Sequence, residues 1–242
     1  YDDVMNKQRE NVYTLRRELL DGQVHWDDEV VDSRQYLMTL AEHLVDQAVE
    51  ARLREMIAET HPGHGVVGEE HGESNPEYEF VWALDPIDGT LPFLAGIPVY
   101  GTLIALLRGG VPVIGVIDMP ATAERWVGVT GSPTLRNGAP VRVRPCEDLS
   151  RAMMSTSNMD YYDDNDRPVL ERLKAATRLA VYGGSCMAYA QIASGRVDLG
   201  IDVAFDVFDY LALVPVIEGA GGIATEHVGA VEASARSPHA QP

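Results

Sequence analysis

The fold class expected of this 242-residue chain is layered α/β, and three observations lead there. Apolar residues recur at three- and four-residue steps over 37–59, which predicts one long amphipathic helix. The most apolar region, Ile97–Ile117, is broken at Arg108, Gly109, Gly110 and Pro112, which predicts two buried strands around a tight turn rather than a membrane span. Short strand-like runs and helical patterns interleave along the rest of the chain, as they do in layered α/β proteins.

The elements follow in order. A first helix is expected over 3–20, then an acidic, irregular stretch over 21–36. The helix over 37–59 gathers Leu37, Leu40, Ala41, Leu44, Val45, Ala48, Val49, Leu53, Met56 and Ile57 into one apolar stripe, and Pro62-Gly63 stops it. A short strand (Gly65–Gly68), a turn and a strand over Phe80–Leu84 precede the apolar hairpin. A third strand lies around Arg125–Val129, and Asn137-Gly138 marks a turn. Beyond residue 150 the pattern reads strand (Ala152–Thr156), acidic loop, helix (166–176), strand (178–182), helix (186–194), strand (197–201) and a helix from about 208 that stops at "GAGG". Pro215 should bend that last helix. The tail, rich in Pro, Ser and Ala, reads as a frayed end. The halves 1–150 and 151–242 are expected to pack as one unit.

Composition bounds the function. With 37 acidic residues against 19 basic, the formal charge is −18. Such a chain does not neutralise nucleic-acid phosphates with a basic patch. It also repels phosphorylated metabolites, unless bound cations reverse the local field. The two cysteines, Cys146 and Cys186, have no metal or redox spacing, and no charged-then-apolar leader opens the sequence, so a reducing, cytoplasmic setting without membrane attachment is expected. Cys186 has no evident base partner and reads as a small buried thiol. His61, His64 and His71 could suggest zinc, but Pro62-Gly63 makes the first pair a turn.

The chemistry concentrates in "WALDPIDGT", Trp82–Thr90. An Asp at a strand's end sits where α/β sheets open to ligands. Pro86 keeps Asp85 extended, and the following turn lets Asp88 point back toward the same cavity. Two converging carboxylates repel unless a cation lies between them, and all-oxygen ligands suit Mg²⁺. Taken alone, the same letters also describe an ordinary turn. Two other acidic segments join the argument. "GVVGEEHG" ends a strand with Glu69 and Glu70, and "DVFDYLALVPVIEGAGG" places Asp209 before an apolar helix, where an Asp also serves as a cap.

Gly-Glu-Glu, then W-x-L-D-P-I-D-G-T, then an aromatic-Asp before an apolar helix ending in A-G-G, together resemble the inositol monophosphatase superfamily over about residues 44–225. "GTLIALLRGGVPVIGVIDMPATAERWVG", "YGGSCMAYAQIASGRVDLGID" and "FDYLALVPVIEGAGG" resemble its histidinol-phosphatase branch. The resemblance implies an α-β-α-β-α sandwich and a lithium-sensitive, homodimeric phosphomonoesterase with two or three Mg²⁺ ions. It implies Glu69, Asp85, Asp88, Asp209 and the Ile87 carbonyl as metal ligands. Thr90 would orient the attacking water with Glu69, and Asp46 would hydrogen-bond Thr90. The N–H groups of Gly89 and Thr90 would take the phosphate, on the side where Asp88 and Asp209 also face the substrate. Asp202 and Asp206 would read the leaving group, and Gly184 and Ser185 would line its pocket. Histidinol phosphate is the leading substrate; inositol phosphate, another cyclitol or aminocyclitol phosphate, or an inactive member acting as a binding partner are the alternatives. The chain departs from the family before the long helix, with His43 where a Thr is usual, and carries Ser185 where the histidinol branch commonly has Asp.

Overall fold

Helix α1 (Ser33–Thr60) lies on one face of a large, mostly antiparallel sheet in the computed structural model, which describes residues 23–26, 29–203 and 205–225, with side chains from residue 44. The expected helix over 3–20 and the tail beyond 225 fall outside the described residues. Ahead of α1, β1 (Gln23–Trp26) pairs antiparallel with β2 (Glu29–Asp32), where the sequence predicts irregular chain. Val24, Val30 and Val31 favour extended backbone, a local signal masked by the acidic residues around them. Helix α1 also starts four residues earlier than expected, at Ser33, a residue suited to helix starts.

The large sheet has the order β10-β9-β8-β7-β6-β5-β3-β4. Its strands are β3 (Gly65–Gly68), β4 (Gly72–Ser74), β5 (Phe80–Asp88), β6 (Gly101–Arg108), β7 (Val111–Met119), β8 (Glu124–Val129), β9 (Leu135–Arg136) and β10 (Ala139–Pro140). Only β3 and β5 run parallel. The apolar hairpin is β6–β7, turning at Gly109 and Gly110, both with positive φ. Asn137 and Gly138, at φ 48° and 81°, form the two-residue β9–β10 turn.

Side chains alternate across this sheet. Leu84 packs with Ile57, Val66, Leu53 and Trp82 beneath α1, while its neighbour Ala83 faces the opposite core. There α4 (Ser185–Ala193) and α5 (Val207–Gly219) bury Ala190, Ala193, Ala212, Leu213 and Val216 against Leu103, Ala105, Ile117, Met119 and Trp126. A small parallel sheet follows, β12 (Leu179–Tyr182), β11 (Met153–Thr156) and β13 (Leu199–Gly200). Helix α3 (Arg167–Ala176) closes the stack by burying Leu170 against Met154 and Tyr162. The layers are therefore α-β-α-β-α, and the main core draws side chains from both halves of the chain. Among the described residues no helix is long and apolar enough to cross a membrane.

The single apolar stripe expected on α1 is not what forms. Its inward face carries Ile57 and Leu53 together with two buried acids, Asp46 and Glu50. Leu44, Val45 and Met56 are exposed, and Leu44, Val45, Ala48, Val49, Arg52 and Leu53 line an apolar groove of about 450 Å³. Apolar residues at three- and four-residue steps wrapped more than one face of this long helix, so periodicity alone could not say which face is core.

Candidate active site

Asp85 and Asp88 are three residues apart, and in a regular strand they would point to opposite faces. A β-bulge prevents this. Asp85 pairs with Leu103 and Asp88 with Gly101, so three residues of β5 span two of β6. The extra residue brings both carboxylates to the same side. Gly89 follows at φ 86°, a left-handed conformation open to glycine, and α2 (Thr90–Ala95) begins. A Cβ at Gly89 would lie 2.7 Å from Ser185 Oγ, so the loop after β5 interlocks with the start of α4. Ser185 itself has φ 43°, an uncommon conformation for a residue with a side chain.

Asp209 arrives from the other half of the chain. It is the third residue of α5, where its carboxylate accepts from the Asp206 N–H at 3.1 Å in a capping box. The depth of α5 is set by two glycines paired across β7 and β8, Gly115 and Gly128. A Cβ on either would meet the α5 backbone, at 2.1 Å from the Ala212 oxygen and 2.2 Å from the Pro215 oxygen. With α5 seated there, carboxylate oxygens of Asp85, Asp88 and Asp209 lie within 4.8 Å of one another.

The electrostatics follow from this crowding. Asp85 is 1% exposed, and its Oδ1 has no hydrogen-bond partner among the described residues. Burial, then Asp88, Glu69 and Asp209, hold its carboxyl well above the ordinary range. Burial likewise raises Asp209, against the hydrogen bond that it accepts from the Asp206 N–H. Burial raises Asp88 to about 6, against the hydrogen bond that its Oδ2 accepts from the Cys186 N–H at 2.5 Å. Glu69, at the rim beyond β3, is raised to about 7 by partial burial and by Asp209, Glu70, Asp46 and Asp206. The four carboxyls thus feel one another, and negative charge is held there at a cost. Hard, closely set oxygen donors with an orphaned buried oxygen fit a divalent cation such as Mg²⁺.

The remaining predicted residues divide. Thr90 Oγ1 donates to the Ile87 carbonyl at 3.2 Å, and Asp46 is buried on α1 close enough to Glu69 to raise it. Gly184 and Ser185 open α4 beside Gly89. Asp202 is held from within: Oδ1 accepts from Thr156 Oγ1 (3.1 Å) and the Ser157 N–H, and Oδ2 from Tyr189 Oη (2.6 Å). Asp206 is exposed and caps α5 through the Val207 N–H. Cys186 is buried, and its N–H fastens Asp88. His71 Nε2–H donates to the Gln47 carbonyl at 3.0 Å, while His61 and His64 pair with each other, their rings tilted by 38°. Sequence reasoning missed Glu50 and Arg54, which bind the turn that carries Glu69. A Glu and an Arg four residues apart on a helix read as a solvent-exposed pair.

Known proteins resemble this chain in sequence and in fold. The model of the inositol monophosphatase family matches residues 15–240. A chloroplastic bifunctional phosphatase of Arabidopsis thaliana is 43% identical over 188 residues, covering 77% of this chain and 54% of that protein. A histidinol-phosphatase of Chlorobaculum parvum is 33% identical over 186 residues, covering 76% and 71%. The structure of an inositol monophosphatase from Zymomonas mobilis superposes with a TM-score of 0.69 at 35% identity, over 73% of this chain and 68% of that one. This chain therefore spans about half the length of the plant relative it matches. The bulge-aligned Asp85 and Asp88, the capped Asp209 and these likenesses lead to one conclusion: the chain belongs to the inositol monophosphatase family.

Proposed function

We propose that this protein hydrolyses a small phosphate monoester in a Mg²⁺-dependent reaction, with L-histidinol phosphate as the leading substrate. The observation that carries the reading is the cluster of Asp85, Asp88 and Asp209 within 4.8 Å in a chain of this family. Its net charge of −18 makes cations necessary before a phosphate can approach.

Asp85, Asp88, Asp209, Glu69 and the Ile87 carbonyl would hold two or three ions. Bound there, Mg²⁺ supplies charge neutralisation at the phosphate and Lewis acidity. The protein's own part is positioning, which is most of what a phosphoryl-transfer site contributes. Thr90 and Glu69 orient the water, with Asp46 behind them. The Gly89 and Thr90 N–H groups take phosphate oxygens. Gly184, Ser185 and the exposed Asp206 stand on the leaving-group side. Asp202, committed to Thr156, Ser157 and Tyr189, shapes that wall rather than offering a free carboxylate.

Likeness to a histidinol-phosphatase at 33% identity supports the amino-alcohol substrate. Ser185, in place of an acid, and the likeness to a solved inositol monophosphatase support inositol 1-phosphate or a related cyclitol phosphate as the second reading. A homodimer is part of the same proposal, checked by sedimentation. A phosphate-release assay with and without Mg²⁺ separates the substrates: histidinol phosphate turned over at least about tenfold more efficiently than inositol 1-phosphate supports the first reading, and the reverse order the second. Absence of Mg²⁺-dependent release from a broad monoester panel overturns both and leaves a binding protein.

A further inference from the structure

Glu50 is fully buried, at 0% exposure, and the chemistry proposed above does not use it. It lies one turn beyond Asp46 on the inward face of α1, and Arg54 lies one turn further. Its Oε1 accepts from Arg54 Nε at 2.7 Å and from the His71 N–H at 3.2 Å. Its Oε2 accepts from the Glu70 N–H at 2.8 Å. Arg54 reaches onward, donating through Nη2 to the Gly72 carbonyl and through Nη1 to Ser74 Oγ at 3.3 Å. Together the two side chains hold Glu70, His71, Gly72 and Ser74, in the β3–β4 connection and its second strand. Gly68 presses against the same carboxylate: a Cβ there would lie 2.1 Å from Glu50 Oε1.

Glu69 sits between Gly68 and Glu70, and both neighbours are placed by Glu50. We propose that Glu50, backed by Arg54, is a positioning residue that fixes the Glu69 loop and so sets the affinity of the acidic centre for divalent cations. The inference rests on the metal reading given above. A buried ion pair is costly, and apolar residues of similar volume commonly hold a helix to a sheet as well or better. A carboxylate is needed here because it alone satisfies two loop amides and a guanidinium at once. Outer-shell partners of this kind change metal affinity by about 10- to 100-fold when altered.

The test is Mg²⁺ titration of the purified full chain by calorimetry, with metal-free melting curves alongside. In Glu50→Gln the amide turns a donor toward one of the loop N–H groups. Mg²⁺ binding should weaken about 10- to 100-fold, metal-free melting should move by no more than about 5 °C, and turnover should recover at saturating Mg²⁺. A folded Glu50→Gln protein that binds Mg²⁺ within about twofold of the parent, or that loses only melting temperature, overturns the inference. Should Glu50→Gln not fold, Arg54→Gln decides on the same criterion, with weakening of about threefold or more expected because its side chain is partly exposed. Glu69→Gln separates the two levels. A parent chain that binds no Mg²⁺ overturns the metal reading and this inference with it. Weakening in Glu69→Gln but not in Glu50→Gln overturns this inference alone.

Discussion

Asp88 shows how one residue is held by both halves of the chain. The bulge in β5 aims it, and the Cys186 N–H from α4 fastens it. Asp88→Asn keeps the shape and removes one charge, so kcat should fall at least about 10³-fold, read by phosphate release at saturating Mg²⁺. Near-parental turnover would contradict its assignment as a ligand. The raised pKa values make a second prediction. Asp88 and Glu69 move from ordinary values of 3.8 and 4.5 to about 6 and about 7 in the fold. Their protons stabilise the metal-free fold fully below about pH 4, and that contribution is lost as pH rises through about 6 to 7. Melting temperature without metal should therefore decline from about pH 5 to pH 8, and Mg²⁺ should restore it most at the upper end, where ions need not displace protons. A flat metal-free profile would contradict the shared burial of these carboxyls. The sequence already marked Asp85 and Asp88, as Asp beside Pro and Gly at the end of an apolar run, and Asp209, as an Asp at the start of an apolar helix, both of them local signals. Glu50 left no such signal, since its partners lie about twenty residues away on a loop.

At the scale of elements, the site depends on how deeply α5 sits. Gly115 and Gly128 stand opposite each other in β7 and β8 and admit the α5 backbone between them. Gly128→Ala places a methyl group against the Pro215 carbonyl, which is backbone and cannot rotate away. The helix must shift, at about 1–3 kcal/mol of stability, measured by urea unfolding. Because Asp209 rides on α5, Mg²⁺ affinity should fall with it, and an unchanged unfolding midpoint would show that the helix has room to spare. The strands and helices themselves were mostly legible. The Asn137-Gly138 turn, α3 and α4 lie within a residue or two of expectation, and the apolar hairpin turns at Gly109-Gly110 as expected, although β6 starts at Gly101, four residues into the apolar region. Two expectations failed for related reasons. The β1–β2 pair was hidden by acidic composition, and the stripe on α1 was assigned to one face when it covers two.

For the molecule as a whole, the core does not respect the division at residue 150. Trp126, buried in the large sheet, donates to Ser194 Oγ at 2.9 Å, and Thr134 Oγ1 donates to the Val216 carbonyl at 2.6 Å. Leu213 and Val216 fill the face that Ile117 and Met119 present. Residues 1–150 and 151–242 should consequently unfold together, giving one calorimetric transition whose van't Hoff and calorimetric enthalpies agree. Two separable transitions would mean that the shared core is weaker than its burial implies. What the sequence determined by itself was local: strand and helix periodicity, turn chemistry, and acidic residues set at the ends of apolar runs. Only the tertiary structure decided that a bulge turns Asp88 toward Asp85, that paired glycines let α5 deliver Asp209, and that Glu50 braces the Glu69 loop. These depend on register and distance between segments remote in the chain, which no local pattern of residues encodes.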